Sequence, residues 1–309
     1  MSQNRYLSDA SGSDVSSRVR ASVYTFGPLV GVAVLGALAG AVSAASTEAA
    51  VLLGLTAAVT FLAWPVMLWI FLFRGAKDLE RSTHALLWGG VGSPIDGCHR
   101  VLRRVFRADQ RARAFHLLGL YAERSGDFPD AAECFARALG AIPAMGSVRP
   151  RKYARLVMSA HRAFCLLASG RLDEGQALLG QTANDFLSPT QPGAFDALMD
   201  DSAMGLGSLS LNETLMKIEG GRDPRALISL SWALAYYARG ATSDALRVLT
   251  TERWFLDHGL APRELAVAQW IYAELAEPSA AGAAPTDPWI TSVLRGARPE
   301  LARASPLRG

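Results

Sequence analysis

The sequence predicts an all-α fold, in which a two-helix transmembrane hairpin precedes an α-solenoid of helical hairpins. Two observations indicate the membrane hairpin: no charged residue lies between Arg20 and Glu48, and none lies between Glu48 and Arg74. A third observation indicates the solenoid, because a helix–turn–helix pattern occurs three times, with turn glycines at 126, 170 and 240. Repeated units of this kind bury a continuous core between neighbours.

These patterns divide the chain of 309 residues into five segments. They are a disordered cytoplasmic tail (1–22), a transmembrane helical hairpin (23–74), juxtamembrane amphipathic and basic helices (75–111), a helical-repeat domain (112–276) and a linker with a C-terminal tail (277–309).

Each charge-free stretch is long enough to cross a bilayer, since a helix needs about 20 apolar residues to span a hydrocarbon core of about 30 Å. We place the two spans near Thr25–Ala45 and Ala50–Phe73. Basic residues flank the outer ends of the hairpin, whereas the turn between the spans carries only Glu48. Because Lys and Arg accumulate on the cytoplasmic side, we expect an integral membrane protein, in a bacterial inner membrane, with both termini and the helical domain cytoplasmic.

A cleavable signal peptide ending near Val42–Ala44 is the alternative interpretation of the first span. The apolar run is about 20 residues long or more, whereas the apolar core of a signal peptide usually has about 7 to 15 residues. Cleavage would also leave almost nothing before the second span. Both considerations favour a membrane span.

Small residues recur at a spacing of four in the first predicted span. The pairs are Gly27 with Gly31 and Gly36 with Gly40. This spacing allows helix backbones to approach closely in lipid. The face either packs on the second span of the same chain or forms a homodimer.

Five arginines follow one face of a predicted helix beyond the membrane hairpin: Arg100, Arg103, Arg104, Arg107 and Arg111. Three interpretations stay open: a solvated helix face, contact with anionic lipid, which is worth about 1 kcal/mol per basic residue, or contact with an acidic protein. We expect no nucleic-acid binding, because no aromatic stacking pattern accompanies these charges and the net charge of the chain is only +3.

The segment 112–145 (ARAFHLLGLYAERSGDFPDAAECFARALGAIPAM) carries the clearest repeat. Its large, small and helix-ending residues are Phe115, Leu118, Gly119, Gly126, Phe128, Ala131, Phe135, Ala138 and Pro143. The segment resembles a tetratricopeptide repeat, a helical hairpin of 34 residues, although Ala122 replaces the usual aromatic residue. Gly126 is expected to end the first helix in a left-handed conformation, and Pro129 to lie in the first turn of the second helix.

Two weaker copies follow at 162–181 and 231–252, and a helix near Pro262–Ala276 is expected to cap the array. The resemblance implies a concave groove lined by the first helix of each hairpin. We assign partner contact to seven groove residues: His116, Leu120, Glu123, Phe164, Leu167, Leu234 and Tyr237.

An apolar groove suits an amphipathic helix laid into it. Alternatively, further parts of the same chain cover the groove, because so apolar a surface rarely stays open to water. A candidate occupant follows the Ala/Pro/Gly-rich linker 277–288. There, four apolar residues would share one face of a short helix: Trp289, Ile290, Val293 and Leu294.

These features predict a membrane-anchored scaffold or adaptor that docks protein partners at the cytoplasmic face, as part of an envelope-associated assembly. Cys98, Cys134 and Cys165 lack a metal-binding spacing, and no phosphate-binding, dinucleotide-binding or nucleophile-elbow motif occurs. We therefore predict no catalytic residue, cofactor or metal. The alternative is a subunit of a membrane enzyme or transport complex with a site in the helical domain.

Overall fold

The computed structural model describes residues 6–7, 31–32, 36, 40, 77–87, 93–104, 108–142, 149–186, 223–276 and 285–298. Regular secondary structure within these ranges is helical, and they contain no strand. The predicted all-α class is therefore confirmed. The chain divides into two compact units, one formed mainly by residues 7–114 and the other mainly by residues 115–309.

The two predicted membrane spans lie outside the described residues, apart from the helical positions Gly31, Val32, Gly36 and Gly40. In the described part of the chain, no helix is both long enough and apolar enough to cross a bilayer. A Cβ built on Gly31, Gly36 or Gly40 meets no described atom within 4 Å. Gly27 also lies outside the described ranges, so the transmembrane hairpin and its glycine face remain predictions.

The first unit contains helix α1 (77–87) and helix α2 (Pro94–Arg104). The two helices approach closely, since a Cβ on Gly97 would overlap the Ser82 hydroxyl. Arg100 Nη2 lies 3.5 Å from Asp78 Oδ1. Burial raises the pKa of the Cys98 thiol to about 12. Helices α1 and α2 thus lie within the segment 75–111, for which helices are predicted, and they pack against each other.

The predicted arginine face is divided between two helices. Arg100 and Arg103 are exposed on α2, and Arg111 is partly buried on helix α3 (Ala108–Arg124). Arg107 and the side chain of Arg104 lie outside the described residues. The prediction of lipid or acidic-partner contact therefore stays open, with Arg100 and Arg103 as its accessible members.

The second unit continues from α3 with eight further helices within the described ranges. They are α4 (Phe128–Ala141), α5 (Arg149–Ala168), α6 (Leu172–Phe186), α7 (Pro224–Ala238), α8 (Thr242–Thr251), α9 (Arg253–Gly259), α10 (Pro262–Ala276) and α11 (Pro288–Ala297). Helices α3–α4, α5–α6 and α7–α8 form three hairpins. Helix α7 packs on α5 of the preceding hairpin. Helix α10 has the predicted bounds and packs on the third hairpin.

The three hairpins share one turn. Gly126, Gly170 and Gly240 have φ of +79°, +82° and +70°, which is the left-handed conformation that glycine adopts without steric cost. In each turn, the N–H after the glycine donates to the carbonyl five residues back: Asp127 to Ala122 (2.9 Å), Arg171 to Leu166 (2.9 Å) and Ala241 to Tyr236 (3.0 Å). This pattern satisfies carbonyls at the end of the first helix. The predicted turn glycines are confirmed.

Small residues bring the two helices of a hairpin together. A Cβ on Gly119 would lie 2.7 Å from the Phe135 ring, and one on Gly175 would lie 2.8 Å from Leu167 Cγ. Since real Cβ atoms essentially never come within 3.0 Å of a neighbour, each glycine is required by its partner's side chain. Small residues on one helix of a hairpin therefore make room for large side chains of the other helix.

One described residue of the predicted disordered tail, Tyr6, belongs to the second unit. Tyr6 is buried, its hydroxyl donates to Asp127 Oδ2 at 2.6 Å, and its ring meets Tyr121 edge to face. The rest of 1–22, except Leu7, lies outside the described residues.

Candidate interaction groove

All seven residues predicted to contact a partner are buried, each with at most 1% of its surface exposed: His116, Leu120, Glu123, Phe164, Leu167, Leu234 and Tyr237. The groove is therefore closed in this structure. Of the two alternatives that the sequence left open, coverage by the same chain is the one observed. Contact of these residues with a partner remains a prediction.

The C-terminal helix α11 contributes to the cover, since it packs on α5, α7 and α10. The Trp289 indole stacks on Phe164, with ring centroids 6.0 Å apart and planes at 22°, and it meets Phe128 edge to face at 5.6 Å. Its Nε1–H donates to the backbone carbonyl of Glu123 at 2.7 Å. We call Phe128, Phe164 and this carbonyl the Trp289 slot. The predicted apolar face of the tail is confirmed, since Ile290, Val293 and Leu294 are buried with Trp289.

The Glu123 carbonyl is available because of its place in the hairpin. It lies in the last turn of α3, where carbonyls have no partner further along the helix. The Gly126 N–H also donates to it, at 3.0 Å, and a carbonyl oxygen accepts two hydrogen bonds. The shared turn thus leaves one acceptor position directed at the indole.

The Glu123 side chain has a different role. Its Oε2 lies 2.8 Å from His161 Nδ1, and Cys165 Sγ donates to the same oxygen at 3.5 Å. His161 and Cys165 both belong to α5, so the carboxylate joins the first hairpin to the second. Burial, and then the adjacent Glu123 carboxylate, raise the pKa of the Cys165 thiol well above its usual range. The His116 ring contacts Phe135 and His161 in the same core.

Leu167 and Tyr237 occupy equivalent places in the second and third hairpins but have different neighbours. Leu167 packs against Gly175 of its own hairpin. The Tyr237 hydroxyl donates to Glu274 Oε2 of α10 at 2.6 Å, and the Arg298 guanidinium lies 4.8 Å from its ring centroid. Burial, and then this hydrogen bond, raise the pKa of Tyr237. The predicted groove is therefore closed at its third hairpin by α10 and by the residue that follows α11.

Helix α11 also approaches the second hairpin through its backbone. A Cβ on Gly296 would overlap the carbonyl group of Ala168, the last residue of α5. A Cβ on the turn glycine Gly170 would in turn lie 3.1 Å from the Gly296 carbonyl oxygen. Only glycine fits at position 296 with the helix in this place.

A second apolar surface is open to solvent. Helices α8, α9 and α10 form a shallow cleft lined by Leu249, Leu256 and Leu265. Tyr272, which also lines the cleft, is 42% exposed. Trp254, which follows the lining residue Arg253 in the sequence, is 65% exposed. Arg253 and Asp257 lie at the same cleft, with Nε and Oδ2 3.6 Å apart.

Three features of the site were not predicted from the sequence: Phe128 as part of the slot, Gly296 as a contact and the Glu123–His161 pair. The glycine inside the ten-residue helix α11 could have indicated a close contact. Glycine lowers the stability of a helix, so its presence there suggests that a neighbour needs the space. The buried pair had no such signal, since its members are 38 residues apart. Within the described ranges, no three His, Cys, Asp or Glu side chains are grouped so that they could hold a metal ion.

Comparison with known proteins yields no relative: no protein-family model, no curated protein and no solved structure matches this chain.

Proposed function

We propose that the protein is a membrane-anchored helical-repeat adaptor, which docks protein partners at the cytoplasmic face of the membrane as part of an envelope-associated assembly. The observation that carries the proposal is the threefold use of one turn, with the same left-handed glycine and the same hydrogen bond in each hairpin. Stacked helical hairpins offer an extended binding surface, and proteins built from them act mainly through that surface.

The tetratricopeptide type is part of this proposal. Its support is the first hairpin, α3–α4, in which Gly126, Pro129 and the small residues lie where the resemblance implies. The stacking of α7 on α5 and the cap formed by α10 agree with the same architecture.

The membrane anchor rests on the sequence alone. The charge-free stretches Thr25–Ala45 and Ala50–Phe73, with basic residues at the outer ends of the hairpin, support two spans and a cytoplasmic helical domain. The exposed Arg100 and Arg103 would then lie on the cytoplasmic side, and they follow the second predicted span in the sequence. Gly36 and Gly40 offer a contact for a second copy within the bilayer.

Extraction of membranes at alkaline pH tests the anchor. We expect the full chain to stay in the membrane pellet, and a variant without residues 25–73 to appear in the supernatant. Release of the full chain at alkaline pH would contradict the membrane anchor. The proposal for the helical domain would then have to stand without it.

Photocrosslinking in native membranes tests the adaptor. A photoreactive residue replaces Ser125, which is exposed beside the Trp289 slot, or Ser243, which is exposed near the third turn and serves as the matched position. We expect a specific protein crosslink at 125 that becomes stronger with Trp289→Ala, and no such change at 243. If no protein crosslinks at 125 in either background, the groove is not a partner site.

A further inference from the structure

We propose that the Trp289 slot and the Ala168 contact form a recognition site for a helix, that α11 is its intramolecular occupant, and that the partner supplies a helix with the same pattern. That pattern is Trp at the first position, Val-Leu four and five residues later and Gly seven residues later. The proposal deepens the proposed adaptor function and rests on it for its biological use.

The slot is selective for tryptophan. Stacking on Phe164 and edge contact with Phe128 require only an aromatic ring. The hydrogen bond to the Glu123 carbonyl at 2.7 Å requires a donor at the position of the indole nitrogen, and a phenyl ring has none. Phenylalanine would thus satisfy the stacking and leave the carbonyl without this donor.

The Ala168 contact is selective for glycine. Any side chain at position 296 would overlap the Ala168 carbonyl group, which belongs to the helix backbone and cannot move aside cheaply. The site therefore identifies one end of the helix by a large ring and the other end by the absence of a side chain.

The spacing of these two features matches the repeat. Positions 289 and 296 are seven residues apart, which is about 10 Å along a helix, and packed helices lie about 8 to 10 Å apart. The ring accordingly meets the end of α3 in the first hairpin, and the glycine meets the end of α5 in the second. One ligand helix contacts successive hairpins at corresponding places.

Helix α11 is capped by residues that belong to its own segment. Asp287 Oδ1 accepts the Trp289 N–H at 2.8 Å, Pro288 occupies the first turn, and Thr291 Oγ1 donates to the Pro285 carbonyl at 2.9 Å. Arg263 Nε lies 3.0 Å from Asp287 Oδ2, and the Arg263 side chain is 54% exposed. A segment that carries its own cap can be supplied by another molecule.

The tether makes the intramolecular occupant the stronger competitor. A linked segment is present at its site at a high effective concentration, which is about 1 mM for short flexible linkers. A free helix of equal intrinsic affinity therefore displaces little of the tethered helix at concentrations well below about 1 mM while the linker is intact. Cutting the linker removes this advantage without altering any contact in the site.

The experiment uses the full chain with a protease recognition sequence in place of residues 279–284. The probe is a fluorescently labelled synthetic peptide of residues 285–299, and its anisotropy reports binding. We expect no binding to the uncut chain, and saturable exchange after cleavage. A Trp289→Phe peptide should bind about tenfold more weakly, because it lacks one hydrogen bond. A Gly296→Ala peptide should lose binding, and an Arg295→Ala peptide, altered at an exposed position, should bind as the parent does.

Three outcomes would overturn the proposal. In the first, the cut chain keeps its helix content but does not bind the peptide. In the second, it binds all four peptides with the same affinity. In the third, it unfolds once α11 is released. In the last case α11 is a fixed part of the core. Photocrosslinking at position 125 tests the adaptor function independently of these results. Peptide exchange without any crosslinked protein would support the recognition site and contradict the adaptor function. A crosslinked protein without peptide exchange would support the adaptor function and contradict the recognition site.

Discussion

The three hairpin turns share a backbone conformation, but they differ in what lies against them. A Cβ on Gly126 would come within 3.8 Å of Trp289 Cδ1, and one on Gly170 within 3.1 Å of the Gly296 carbonyl oxygen. A Cβ on Gly240 would meet no described atom within 4 Å. The comparison separates two requirements for glycine: all three turns need its backbone freedom, and only the second turn also needs the space beneath α11.

The largest expected effect comes from removing the ring that covers the first turn. Trp289→Ala deletes a buried indole together with its hydrogen bond to the Glu123 carbonyl. We expect the free energy of unfolding of the helical domain to fall by about 3–5 kcal/mol, as measured by chemical denaturation. Trp254→Ala is the matched control, and because Trp254 is 65% exposed, its effect should be below about 0.5 kcal/mol. Equal effects of the two changes would mean that α11 does not dock as described.

A smaller effect is expected where α11 crosses the second turn. Gly296→Ala places a methyl group against the Ala168 carbonyl, and we expect a loss of about 2–3 kcal/mol, in the range of overpacking penalties. Increased cleavage by protease within residues 285–298 should accompany this loss. Gly180→Ala provides the control, because Gly180 lies inside α6 and a Cβ there meets no atom within 4 Å.

At Gly180 the change should instead stabilise the domain by about 0.5–1 kcal/mol, since alanine is the better helix former. A Gly296→Ala variant as stable as the parent would place α11 elsewhere.

The turns themselves give the next comparison. Alanine in the left-handed conformation costs about 1–2 kcal/mol, so Gly126→Ala and Gly240→Ala should each lower the free energy of unfolding by about that amount. Gly170→Ala should cost roughly 1 kcal/mol more, because its methyl group also crowds the Gly296 carbonyl oxygen. Denaturation of the three variants in parallel measures the difference. If Gly170→Ala is no worse than Gly240→Ala, the contact between the second turn and α11 is absent in solution.

The hairpins and the apolar face of the C-terminal tail could be predicted from the sequence, because both are local patterns. A turn glycine, small residues opposite large ones and a single apolar helix face are all determined by residues close together in the chain. The contents of the groove were harder to predict, because they depend on segments far apart in the chain. Trp289 and the Glu123 carbonyl are 166 residues apart, and no spacing rule connects them. Leu167 illustrates the same limit, since its side chain turned out to fill its own hairpin.

The smallest expected effect concerns pH and the core shared by the first two hairpins. The Cys165 thiol has a raised pKa in the folded protein because it is buried and lies beside the Glu123 carboxylate. In the unfolded chain a cysteine ionises near pH 8.5, at about its ordinary value. Below that pH, both states keep the proton and the domain has its full stability. Above it, only the unfolded state loses the proton, so the free energy of unfolding falls as pH rises.

The slope for one such group approaches about 1.4 kcal/mol per pH unit, and we expect a loss of about 1 kcal/mol between pH 8 and 9.5. Tyr237, whose pKa is also raised, adds a loss in the same direction only above about pH 10, where an unfolded tyrosine ionises. Cys98 also has a raised pKa, so both chains in the comparison carry Cys98→Ala. Denaturation over this pH range should then show a flatter profile for Cys165→Ala than for its parent. Parallel profiles would mean that the Cys165 thiol reaches water in the folded protein, and hence that the first two hairpins are not held together as tightly as the Glu123–His161 contact implies.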